Sequence, residues 1–216
     1  MKPHARLRLP RGLGSPAAIQ EFLDDLPYNK EKRGETARSP RRVLETGEAH
    51  CFEGALLAAA ALRRIGHRPL VVQMGSVRDT DHVLALFRTR PLAGAWGAVA
   101  KSNYSGLRFR SPVYRSLREL AMSYFDCYYN PAGEKTLRSV GRPVDLARFD
   151  RRGWETAAED LWDVSAWLAS RRFTPLVTPD QVRRLAPMDR RLYDAGHLGS
   201  REIIPEGRFG SRSRNS

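Results

Sequence analysis

The chain has 216 residues, 41 % of them hydrophobic and 28 % charged, with 37 Lys and Arg against 24 Asp and Glu for a net charge of +13. That length can bury one sizeable core, the composition excludes a disordered chain, and no apolar run approaches the roughly 20 residues of a bilayer span. Two cysteines, Cys51 and Cys127, leave no room for a disulfide framework or for paired CxxC zinc sites.

Residues 1–14 read as a basic arm punctuated by Pro3, Pro10, Gly12 and Gly14. Ser15 before Pro16 is a helix start, and the helix is expected to run to about Leu26. A polar loop fills Tyr28 to Pro40. From Glu48 the character changes: CFEGALLAAAALRR, beginning at Cys51, is a small-residue helix apolar on nearly every side, and Gly66 closes it. Such a helix is buried all round. Three strand-like runs follow, Pro69–Met74, His82–Phe87 and Ala95–Ala100, with links too short for crossover helices, so they predict an antiparallel meander. Pro112 is expected to open a helix through Leu117, Leu120 and Tyr124. A weaker strand or loop region covers Lys135–Asp150, and a helix is expected over Glu155–Ala169. Thr178-Pro179-Asp180 starts another, a short one runs from Pro187 toward His197, and 199–216 form a flexible basic tail. The order defines an α+β domain over 15–198.

Arg supplies 32 of the 37 basic residues, and Lys only Lys2, Lys30, Lys32, Lys101 and Lys135. They are spread along the chain, densest from Lys101 to Arg118, without a zinc-finger, RNP-like or GxxG pattern. This is a solvated basic surface. It is expected to bind nucleic acid only non-specifically and to suit an acidic partner.

Chemistry is concentrated at Cys51. A thiol at a helix N-terminus meets unpaired N–H groups and the positive end of the dipole, which stabilise the thiolate. His82, opening the second strand, is the candidate base. If the second and third strands pair across 88–94, partner numbers sum to about twice 91, so His82 faces roughly 100–102. Lys101 has no acceptor, Ser102 a weak one and Asn103 an amide oxygen, so Asn103 is the candidate to orient the imidazole. Trp96, Lys101 and Ser102 are candidate binding residues, although Trp96 is equally at home in a core. Cys127, in the aromatic run YFDCYY, reads as packing. His50 need not face its neighbour Cys51, Glu45 and Glu48 are placed to shape a cleft, and Glu53 reads as a partner of the helix dipole.

The string AHCFEGALLAAAALRRIGHRPLVV, then DHVLALF and WGAVAKSNY, resembles the core of the transglutaminase-like superfamily, papain-like thiol enzymes whose Cys heads a helix. The resemblance spans about 45–128. Its WGAVAKSNY and LRFRSPVYRSLRELAMSYF segments are similar to uncharacterised bacterial members. It implies a papain-like core with Cys51 as nucleophile and His82 as base, but Lys-Ser-Asn stands where the family has Asp. The implied activity is acyl transfer from, or hydrolysis of, a peptide or other amide, with no cofactor or metal expected; the basic start without the apolar stretch of a signal peptide sets the expectation of a cytoplasmic protein. The alternative is an inactive version of the fold that binds an acidic partner.

Overall fold

The computed structural model describes residues 7–90 and 93–198; residues 1–6 of the expected arm and the whole expected tail lie outside them. The elements in chain order are α1 (Pro16–Asp25), α2 (Pro40–Thr46), α3 (Cys51–Arg64), β1 (Leu70–Ser76), β2 (His82–Arg90), β3 (Ala93–Val99), β4 (Arg110–Tyr114), α4 (Leu117–Met122), β5 (Leu137–Gly141), β6 (Val144–Asp145), α5 (Trp162–Ala169), β7 (Phe173–Pro175), α6 (Pro179–Arg183) and α7 (Arg190–Gly196). The strands form one antiparallel sheet in the order β4-β3-β2-β1-β5-β7, with β6 also on β1. This is an α+β fold. Among the described residues no helix is long and apolar enough to cross a membrane.

Strand alternation separates two cores. Val71, Val83, Ala85, Phe87 and Val99 face α3, whereas Val72, Met74, Leu84, Leu86 and Ala98 pack with Leu120, Tyr124 and Tyr128. Every residue of α3 from Phe52 to Leu62 is buried. The helix is enclosed by the sheet, by Ile19 and Leu23 of α1, by Val43 of α2, and by Trp154, Leu161, Val164 and Leu168. Its alanines allow that close approach from several sides at once.

The N-terminal segment from Leu7 is no free arm. Leu7 is buried in the core, Leu9 and Leu13 pack against it, and Arg64 donates to the Leu7 carbonyl over 3.3 Å. Pro112 does not open a helix. It lies in β4, an edge strand paired only with β3, where a missing N–H costs no ladder bond. The helix starts later, where the Ser116 hydroxyl accepts from Glu119 N–H. The helix expected from Glu155 likewise begins only at Trp162. Before it, the Glu155 carbonyl accepts from Arg41 N–H, the Ala157 carbonyl from Ser39 Oγ, and Leu161 N–H donates to Ala37. Those backbone groups are committed to the 37–41 segment and are not free for helical bonds.

Two side chains pin α1 to the end of β3. The Gln20 amide accepts from Ala100 N–H and donates to the Ala100 carbonyl, both at 2.9 Å. Lys101, buried, donates to the Leu23 carbonyl at 2.7 Å and also to Leu26, satisfying the open C-terminal end of α1. The stem of Lys101 lies against Gly54 of α3, where an added Cβ would overlap the Lys101 Cβ. Gly54→Ala should therefore lower unfolding free energy by about 1–3 kcal/mol through overpacking, despite Ala's better helix propensity. Urea denaturation of the two proteins measures this.

Candidate active site

Cys51 is the first residue of α3, and His50 is its N-cap. A short parallel bridge, Tyr28 to Ala49, brings the loop after α1 alongside this point, with Asn29 N–H on the Ala49 carbonyl and Ala49 N–H on Pro27. The loop is organised by Glu53, at the third position of α3 and fully buried. One carboxylate oxygen accepts from Thr36 Oγ1 at 2.8 Å and Arg38 N–H at 3.1 Å. The other accepts from Asn29 Nδ2 and His50 N–H, each at 3.1 Å. Arg38 Nε lies 3.8 Å from the same carboxylate and its Nη1 bonds Glu48 at 3.0 Å. Sequence placed Glu53 only as a dipole partner. It is the node that joins the 29–38 loop to the start of α3.

His82, buried at the start of β2, directs Nε2 to the Leu107 carbonyl oxygen at 3.0 Å. A carbonyl only accepts, so Nε2 carries the proton and Nδ1 keeps the lone pair, and the influence of this imidazole lowers the Cys51 thiol. Tyr128 meets the ring edge-on at 6.5 Å and is itself fixed by its hydroxyl on the Thr80 carbonyl at 2.6 Å. The expected orienting residue is thereby corrected. Pairs along β2 and β3, such as Ala85 with Val99, extrapolate from His82 to Ser102, but the ladder stops at that pair. Past it the chain turns away, and the short 3₁₀ turn at Ser105–Leu107 brings a main-chain oxygen to His82.

The candidate binding residues serve other purposes. Ser102 is buried, with its hydroxyl accepting from Tyr104 N–H at 3.0 Å. Lys101 is held on α1, and burial together with nearby Arg108 pulls its ammonium down to about 8. Trp96 sits on β3 across from Tyr114, with the Arg88 guanidinium 4.1 Å above its ring, and packs in the core on the α4 side of the sheet. A cleft of about 1110 Å³ opens between the 24–38 and 101–108 segments; Lys101, Ser102 and Asn103 line it, and Cys51 does not. Tyr28 links the two places: it lines the cleft, and its phenol feels the Cys51 backbone N–H.

Two residues therefore join the site that sequence reasoning left aside, Tyr28 and His50. His50, the residue before Cys51, and His82, from β2, both act on the Cys51 thiol. Burial of the thiol would push Cys51 up, but the hydrogen bonds from His50 and His82 and their charges outweigh it and bring the thiol down to about 6. In its neutral state the thiol has the Asp81 carbonyl 3.8 Å away as acceptor. Cys127 is the opposite case, with burial raising its thiol. Burial also raises the Tyr28 phenol, which keeps its proton. Among the described residues no group of three or more His, Cys, Asp or Glu is arranged to hold a metal ion.

No protein-family model matches this chain, and no curated protein matches it.

Two substitutions separate the roles. Asn103→Ala should leave the rate of Cys51 alkylation within about twofold of wild type, because the Leu107 carbonyl and not Asn103 holds His82. Glu53→Gln keeps the shape but places an amide NH₂ among four donors, and should lower stability by about 3 kcal/mol in urea denaturation.

Proposed function

We propose that the chain is a transglutaminase-like thiol enzyme with a papain-like core, cleaving an amide by acyl transfer to Cys51. One observation carries this reading: Cys51 is the first residue of an enclosed helix, next to the cap residue His50, and the imidazoles of His50 and of His82 at the start of β2 together bring its thiol down to about 6. A thiol serving only to fill space has no use for two such partners.

The chemistry follows from the geometry. The Cys51 thiol gives its proton to His82 Nδ1, the thiolate attacks the amide carbonyl carbon, and the carbonyl π electrons move to oxygen. That oxyanion is met by the Tyr28 hydroxyl, and by Cys51 N–H as it turns from the Tyr28 oxygen. As the C–N bond breaks, the His82 imidazolium gives its Nδ1 proton to the departing nitrogen, leaving a thioester on Cys51. Neutral His82 then takes a proton from water, or from an amine acceptor, as that nucleophile attacks the thioester and the thiolate leaves. The Leu107 carbonyl fixes the ring through both steps. It supplies orientation without the full charge of the family's Asp, and a loss of turnover with retained thiol reactivity would favour the rival reading, a fold kept as a binding module.

The test is activity-based profiling with electrophilic peptide and amide probes, read by mass spectrometry. Labelling is expected at Cys51 and not at Cys127. Because the nucleophile is the deprotonated form, the Cys51 rate should rise with pH through about 6 and then level, while Cys127 reacts appreciably only in the alkaline range. With a substrate found, Tyr28→Phe should cut turnover about 10²-fold, as expected for one oxyanion donor. Faster labelling at Cys127, or a Cys51 that reacts only in denaturant, would contradict the proposal.

A further inference from the structure

His50 is the imidazole that the acyl-transfer steps leave without a task. Its Nε2 lies 2.9 Å from the Thr36 carbonyl oxygen, so that nitrogen is protonated. Its Nδ1 faces two competing uses. Phe52 N–H, 3.3 Å away, requires a lone pair there to complete the helix cap, whereas the Cys51 sulfur can accept a proton from the same atom. One nitrogen cannot do both, and the charges around the ring decide between them. Glu31 Oε1 and Glu53 Oε1 each stand 3.6 Å from Nε2, the first from the loop and the second from α3. Glu53 is fully buried, and its nearest cation apart from His50 is Arg38, at 3.8 Å. Two carboxylates and a thiolate around one ring favour its cation.

We propose that His50 is held as an imidazolium whose Nδ1–H donates to Cys51 Sγ, keeping the sulfur ionised while His82 alone carries protons to and from substrate. This rests on Cys51 being the nucleophile. Burial alone would lower His50, but the hydrogen bond to Cys51, the charge on that sulfur, Glu53 and the Thr36 carbonyl reverse this and raise it to about 9. The division of labour is chemically balanced. His82 loses one proton to the leaving nitrogen and regains one from water, and His50 keeps its own throughout. When the sulfur is acylated and uncharged, Glu31 and Glu53 remain as the counter-charges of His50.

His50→Asn is the informative variant, because Asn is as good an N-cap as any residue yet carries no charge. The pH dependence of Cys51 alkylation by iodoacetamide should shift, its midpoint rising from about 6 by about one pH unit, so that the rate at about pH 5 falls tenfold. The melting temperature should fall near neutral pH, because the stabilisation of the imidazolium is lost, while the unfolding transition stays cooperative. A second measurement needs no variant: ¹⁵N spectra of the histidine rings near neutral pH should show His50 with both nitrogens protonated, and in Cys51→Ala that signature should weaken. An unchanged alkylation midpoint in a well-folded His50→Asn protein, or a wild-type His50 ring with one bare nitrogen near neutral pH, would overturn the proposal. If His50→Asn loses that cooperative transition, the spectra of the wild-type protein decide. A wild-type Cys51 that titrates like an ordinary thiol would remove the acyl-transfer reading as well, whereas a low midpoint indifferent to His50→Asn removes only the role given to His50.

Discussion

The buried carboxylate of Glu53 is the constraint on which the candidate site depends. Taking an ionised carboxylate out of water costs several kcal/mol even after relaxation, and hydrogen bonds to the charge must offset that cost. Glu53 obtains four, from Asn29, Thr36, Arg38 and His50, and its place in the first turn of α3 adds the favourable end of the helix dipole. These donors come from one loop and one cap, and the loop contains no helix or long strand between α1 and α2. The same carboxylate that anchors the loop closes the capping box with His50 and so fixes the position of Cys51. Tyr28 enters through the bridge to Ala49, one residue before that cap.

The electrostatics of the pair at the head of α3 are nearly self-contained. The lowered Cys51 thiol contributes stability that is present above its usual range near 9 and is lost as pH falls toward about 6. The raised His50 contributes stability that is present below its usual 6.5 and is lost as pH rises toward about 9. Over the same window one contribution grows while the other fades. The two pH dependences offset one another, so the thiol can be activated with little net pH dependence of folding. Lys101 behaves differently: its ammonium is lowered by burial, so folding stability from this group increases as pH rises through about 8 toward its usual range.

Much of this architecture was legible in the sequence because it follows from periodicity. The enclosed α3 follows from Ala and Leu on every side, the meander from alternating runs with short links, and α1 from Ser15-Pro16. What escaped was set by groups without a side-chain signature. The Leu107 carbonyl that orients His82 is main chain, so a search among acceptor side chains turned to Asn103. Pro112 looked like a helix opener because apolar residues after it recur near helical spacing, but pairing with β3 overrode that local preference. Tyr28 and His50 reach Cys51 through loop geometry fixed by Glu53, and nothing in the local pattern around Tyr28 announces a contact so distant in sequence. Cys51 heads a helix and His82 a strand, as the sequence patterns around them mark.

The central claim is that Cys51 forms a thioester with an amide-derived acyl group. The most direct measurement is to mix the full chain with an activated acyl amino-acid ester, quench in acid and locate the added mass by peptide mapping. The account predicts one acyl group on Cys51, removed by hydroxylamine, absent in Cys51→Ala and slower to form in His82→Asn. Acylation that falls on Lys101 or Cys127 instead, or that proceeds equally well without Cys51, would contradict it.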